Sequence, residues 1–118
     1  MLSSLLLYQD IGLFLLRLAV AIVFLAHAFP KLQNKMGSAF LLLGVVEALS
    51  AVALVLGWYP QIAAILLAII MVGAMWMKIT KWHVPFAAMD KTGWEFDLIL
   101  LAANIVILTS GGGTITFL

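Results

Sequence analysis

Four apolar runs, each closed by a sharp stop signal, constrain this chain more than any other feature. The first covers 11–29 and meets Pro30. The second covers 38–56 and meets Gly57. The third opens at Pro60 and reaches about residue 77. The fourth covers 94–109 and runs into Gly111-Gly112-Gly113. Proline disfavours helix in the residue before it and suits a helix's first turn, while glycine commonly follows a helix's end. Helices of roughly 16 to 20 residues are about 24 to 30 Å long, close to the thickness of a bilayer's hydrocarbon core. The expectation is an all-α fold: an up-and-down bundle of four transmembrane helices in one integral membrane domain, residues 1–118.

Composition agrees. The chain is 66% hydrophobic and 9% charged, where a soluble domain carries about 25% charged residues. A soluble fold of this length could not hide so much apolar surface. Net charge is +1, and the basic residues form no nucleic-acid-binding patch. There is no cysteine, which excludes thiol–disulfide chemistry, thiolate metal sites and iron–sulfur ligation by this chain alone. No metal ligand set is assigned. The opening "MLSSLLLYQD" lacks the basic stretch and cleavage pattern of a signal peptide.

Lysine placement orients the bundle. Lys31 and Lys35 fall between the first and second runs, and Lys78, Lys81 and Lys91 between the third and fourth. The N-terminal segment, the turn "GWYPQ" and the C-terminal tail have no Lys or Arg. Positive residues favour the cytoplasmic side, so both termini are expected on the non-cytoplasmic side. Aromatic residues fit this, with Tyr8, Trp58 and Tyr59 at the outer interface and Trp76, Trp82 and Trp94 at the inner one. The expected location is a bacterial cytoplasmic (inner) membrane.

The two halves echo each other. Each has an apolar span, a loop with His and Pro (His27 and Pro30, His83 and Pro85), an acid-bearing span and a closing Gly. Both hairpins start on the same side, so such a repeat would be parallel, about an axis along the membrane normal. Gly44 and Ala48, and Ala53 and Gly57, are four apart and would let helices pack closely.

Polar residues at depth are few: Arg17, His27, Glu47, Glu95 and Asp97. A charge at the centre of a bilayer costs about 2.5 kcal/mol or more, so such residues face the bundle and find partners. Arg17, Val20, Phe24, His27 and Lys31 recur at spacings of three and four, forming one polar stripe. Glu47 on the neighbouring helix is the expected partner of Arg17, with Ser50 one turn on. That pair could be structural, fixing which helix docks on which, or functional. His27 could simply be solvated by headgroups. Glu95 and Asp97 are two apart and point to nearly opposite sides, one toward the bundle and one toward the interface. Either gains from the helix dipole alone. Asn104 shares the side of Asp97, and Thr109 that of Glu95. His83 reads as a loop histidine, which disfavours haem held between two histidines.

Taken together, Arg17, His27 and Glu47 are candidate ligand-binding residues, since a quinone carbonyl needs donors such as Arg or His within reach and its reduction needs protons that carboxylates can relay. Lys31, Glu95 and Asp97 are candidates for a proton relay. The chain has no redox centre, so electrons would come from a partner.

The sequence resembles the DoxX family along nearly its whole length. The segments are "LLRLAVAIVFLAHAFPKL", "LLLGVVEALSAVALVLGWYPQIAAILLAIIMVGAMW" and "GWEFDLILLAANIVIL" with its closing Gly cluster. The shared features are Arg17-Leu18, His27 followed by Lys31, Gly44 with Glu47, and Gly93 with Glu95. The resemblance implies a small four-helix membrane protein linked to oxidoreductase complexes. It further implies a quinone as the only, non-covalent, cofactor and a larger membrane complex or redox protein as partner. Family members commonly end with Gly-Pro-Gly and a basic residue, where this chain ends "GGGTITFL". Two other readings stand beside the quinone-binding subunit: a non-catalytic accessory or assembly subunit, and a small-solute or proton carrier. Small multidrug transporters resemble this chain in size only, because their key Glu lies in the first helix, where this chain has Arg17.

Overall fold

The computed structural model describes residues 2–33, 37–87, 89 and 91–116. Its described residues form four α-helices and no strand: α1 (Gln9–Leu32), α2 (Ser38–Leu56), α3 (Pro60–Thr80) and α4 (Trp94–Ser110). A 3-10 segment, Leu2–Tyr8, leads into α1. Lys35, one of the orienting lysines, lies outside the described residues.

Two boundaries differ from expectation. α1 does not stop before Pro30 but carries it within its last turn and ends at Leu32. The proline forfeits a single backbone donor there, and the cap recovers the last turn with Gln33 N donating to Phe29 O at 3.2 Å. α3 likewise runs past residue 77 to Thr80, which puts Lys78 on a helix rather than in a loop.

Consecutive helices run antiparallel. At one end, Lys31 meets Glu47 and Lys78 meets Asp97. At the other, Gln61 Nε2 donates to Leu108 O at 2.8 Å, and Thr116 Oγ1 donates to Leu56 O at 3.0 Å. We call these the lysine end and the glycine end. Packing is most extensive within the hairpins α1–α2 and α3–α4, and lighter between α2 and α3.

Buried positions follow helical spacing. They include Val20, Phe24 and Ala28 on α1, Ala51 and Leu54 on α2, Ala64, Leu67 and Met71 on α3, and Leu100, Asn104 and Ile107 on α4. Several of these are alanines, which let the backbones approach. The outer surface is apolar: Ile22, Leu49, Ile69 and Ile99 all stand exposed. Such an apolar outer surface suits a lipid environment. Leu2–Leu32, Ser38–Leu56 and Pro60–Thr80 are each long and apolar enough to cross a membrane. α4 is shorter, at 17 residues.

Candidate functional site

A cavity of about 580 Å³ sits in the lysine-end half of the bundle, walled by all four helices. Its lining is mostly apolar and aromatic, with Phe24, Phe40, Trp76 and Phe96 among it. Five ionisable groups converge on it, His27, Lys31, Glu47, Lys78 and Asp97, with the hydroxyl of Thr92 beside them. They form two lysine–carboxylate pairs, one from each hairpin.

The first pair joins α1 to α2. Lys31 Nζ donates to Glu47 Oε1 at 2.6 Å. Helical side chains lean toward the N-terminus of their own helix. In antiparallel neighbours, Lys31 therefore leans deeper and Glu47 leans back toward it. Gly44 makes the approach possible, because a Cβ there would sit 2.7 Å from Lys31 Cβ and 3.3 Å from Ala28 O. The Gly-x-x-Glu spacing thus has a physical basis: the glycine clears the lysine's path and the glutamate receives it one turn on. Glu47 is wholly buried, and its Oε2 has no partner among the described residues.

The second pair joins α3 to α4. Lys78 Nζ lies 2.8 Å from Asp97 Oδ2. The oxygen is poorly aligned for a hydrogen bond, so the contact is chiefly Coulombic. Lys78 directs its protons instead to Thr92 Oγ1 at 3.0 Å and, more weakly, to Gly93 O at 3.5 Å. The loop before α4 is held for this purpose. Trp94 N donates to Pro85 O at 3.4 Å and Glu95 N to Phe86 O at 3.1 Å, so loop carbonyls cap the helix. Gly93 packs directly on the Phe86 carbonyl, leaving no room for a side chain.

His27 stands at the cavity edge. Its Nδ1–H donates to Val23 O at 2.9 Å, and its ring stacks on Phe96 with centroids 4.9 Å apart. It lies on the exposed side of α1 rather than in the buried stripe.

Arg17 does not pair with Glu47, contrary to the sequence expectation. It is buried toward the glycine end, where Nη1 donates to Gly112 O at 3.2 Å and the guanidinium lies 5.3 Å over the Phe14 ring. Two facts of helix geometry explain the difference. With α1 reaching Leu32, Arg17 is about 22 Å from the lysine end and Glu47 about 14 Å, which widens the gap. The arginine also leans away from Glu47, toward the N-terminus of α1.

Glu95 and Asp97 part company. Asp97 is buried, whereas Glu95 is exposed and lines a separate groove on the outer face of α4 with Phe86 and Ile99. Of the candidate residues, the cavity gathers His27, Lys31, Glu47 and Asp97, and leaves out Arg17 and Glu95. His83 is exposed in the loop and is not the counterpart of His27. The two halves match instead through Lys31 with Lys78 and Glu47 with Asp97.

Lys78 and Thr92 were missed in the sequence. Lys78 continues the spacing of Ala64, Leu67 and Met71 on α3, a signal hidden by ending that helix one turn early. Thr92 precedes a helix and carries no periodicity to betray it.

The DoxX family profile matches residues 12–81, more than half of the 118 residues. The chain belongs to the DoxX family. No curated protein and no solved structure shows a significant match. The span that matches holds Lys31, Gly44, Glu47 and Lys78, and ends before α4.

Proposed function

We propose that this DoxX-family membrane protein binds a quinone head group in the lysine-end cavity, as the quinone-interacting subunit of an oxidoreductase assembly. The observation that supports it is the buried, half-open Lys31–Glu47 pair in the wall of an aromatic-lined cavity. Small-molecule sites are mostly apolar with a few convergent polar groups, and about 580 Å³ falls within their usual 300 to 1,000 Å³. Two lysines face two carboxylates, so the wall carries no net formal charge and favours a neutral ligand over an ionic one.

Within that reading, Lys31 has protons to spare. Among the described residues its ammonium meets only Glu47, and an ammonium carries three donors. Lys31 would donate to a head-group carbonyl, while Nε2 of His27, an acceptor once Nδ1–H is given to Val23 O, would receive a hydroxyl of the reduced head group. A bound quinone would supply two-electron, two-proton chemistry, with electrons from a partner protein. Glu47 and Asp97 would hold protons beside it. Arg17 and Glu95 do not line this cavity and take no part in the reading.

The bundle would cross the membrane four times. α4 is about 25 Å long, and its exposed face is apolar, with Leu98, Ile99, Ile105 and Val106. Lysine bias would set the lysine end in the cytoplasm and both termini outside.

Native mass spectrometry of the protein extracted gently from its membrane tests the reading. A bound mass matching a quinone, lost in Glu47→Leu and kept in Arg17→Ala, is the expected result. A stoichiometric protein partner with no quinone would instead establish the accessory-subunit reading.

A further inference from the structure

The cavity reaches the apolar outer surface of the bundle. Ile69, Gly73 and Trp76 line the cavity and also stand on the outer surface of α3, where Ile69 is 64% and Trp76 62% exposed. Their spacing of four and three makes them one stripe. Gly73, at its centre, is also exposed, and a Cβ built on it would meet nothing within 4 Å. Across the gap stand Phe40, Leu43 and Glu47 of α2, again one stripe by spacing. α2 and α3 are tied at the glycine end by a short turn, where Trp58 N donates to Ala53 O at 2.9 Å. At the lysine end the cavity lies between them.

Depth decides what this gap meets. Gly73 precedes the last residue of α3 by seven, so it lies about 10 Å inside the lysine end. Leu43 and Glu47 lie about 8 and 14 Å from the start of α2, on either side of that level. A hydrocarbon core about 30 Å thick places the notch among acyl chains rather than in water.

We infer that the notch at Gly73 is the passage through which the ligand's apolar tail leaves the cavity for the bilayer. The ligand class is thus a neutral ring bearing a long hydrocarbon tail, taken up sideways from lipid. This rests on the quinone reading and adds to it the direction of entry and the need for a tail. Charged groups lie at the inner end of the passage, and among the described residues none stands with Ile69, Gly73 and Trp76 on its outer stripe, so head and tail are sorted by the wall itself.

The test compares two probes on the full-length protein in detergent micelles: a methoxy-substituted 1,4-benzoquinone without a tail, and the same ring with a decyl tail. Quenching of tryptophan fluorescence reads binding, since Trp76 and Trp82 are in the cavity wall. The wild type is expected to bind the tailed ring at least about tenfold more tightly, through burial of alkyl surface. Gly73→Phe should abolish that preference while leaving the tailless ring within about twofold. Val72→Phe, on the neighbouring exposed position outside the cavity, should keep it. Ile69→Trp narrows the same gap one turn away and repeats the test should Gly73→Phe fail to fold. Equal weakening of both probes, or no change in either, overturns the passage while leaving quinone binding intact. A wild type that binds neither ring removes the quinone reading itself, and the passage falls with it.

Discussion

The two hairpins present the same pair of charges to one cavity, yet they hold them differently. Among the described residues, Lys31 reaches Glu47 by a single contact of 2.6 Å, and Glu47 Oε2 is buried with no hydrogen-bond partner. Lys78 is shared among Asp97, Thr92 and the Gly93 carbonyl. Asp97 also sits in the first turn of α4, where the helix dipole favours its charge. Glu47, mid-way along α2, has no such help. One pair is closed by its own loop, and the other is open toward the cavity. Two lysine–carboxylate pairs are therefore held differently, and what distinguishes them is the supply of further partners.

This contrast can be broken most severely at Lys31. Lys31→Met leaves Glu47 buried with no cation, and removing one partner of a buried pair costs about 3 to 5 kcal/mol. The thermal midpoint in detergent should fall accordingly, and adding Glu47→Leu should restore much of the loss. Lys78→Met should cost less, about 2 to 3 kcal/mol, because the dipole of α4 continues to favour Asp97. Equal losses in the two single variants would show that the helix terminus contributes nothing and that the hairpins are energetically alike.

The two pairs also show how far the sequence could be read. The membrane class, the helices and the divergence of Glu95 and Asp97 to opposite sides follow from apolar runs and helical spacing, whereas which of the two is buried comes from the fold. The polar stripe on α1 was legible in part, since Arg17, Val20 and Phe24 are buried while His27 stands on the exposed side, and its pairing was not. Reading Pro30 as a stop shortened α1 on paper and drew Arg17 toward Glu47, while the direction in which helical side chains lean settles the pairing the other way. Lys78 was hidden by a similar one-turn error. Periodicity reports which face a residue occupies. It does not report depth to within a turn, and a salt bridge requires that accuracy. Thr92 and Gly112 lie in irregular segments, where no period exists to be read.

The glycine end sharpens the comparison from outside the cavity, since there a buried cation has no acid within its bonded set. Arg17 Nη1 reaches only Gly112 O among the described residues, and Nε and Nη2 have no partner there. Gly111, Gly112 and Gly113 take φ of 79°, 81° and 83° in succession, which turns the tail back over α1. Thr114 N then donates to Asp10 Oδ1 at 3.1 Å. A Cβ at Gly112 would stand 3.1 Å from Pro60 Cβ and 3.3 Å from Arg17 Cδ. Gly112→Ala should therefore cost about 1 to 2 kcal/mol, the usual penalty of left-handed backbone for an L-residue. Quinone affinity should not change, because this end is remote from the cavity. A drop in affinity without loss of stability would tie the two ends together and return Arg17 to the site.

The smallest effect comes from the closed pair itself. Thr92→Val removes one acceptor from Lys78 and leaves Asp97 and the Gly93 carbonyl in place. A single hydrogen bond to a charged group contributes about 1.5 to 3 kcal/mol when fully buried. Thr92 is exposed, so water can replace it, and the expected loss is about 0.5 kcal/mol or less. The change does free a proton on Lys78 that could turn toward the cavity. If the head group is held at Lys31, affinity for a tailed quinone should stay within about twofold. A rise of about tenfold, equivalent to 1.4 kcal/mol, would mean that Lys78 is the lysine that meets the ligand once it is released. The closed pair would then be the regulated half of the site, and the open pair its structural twin.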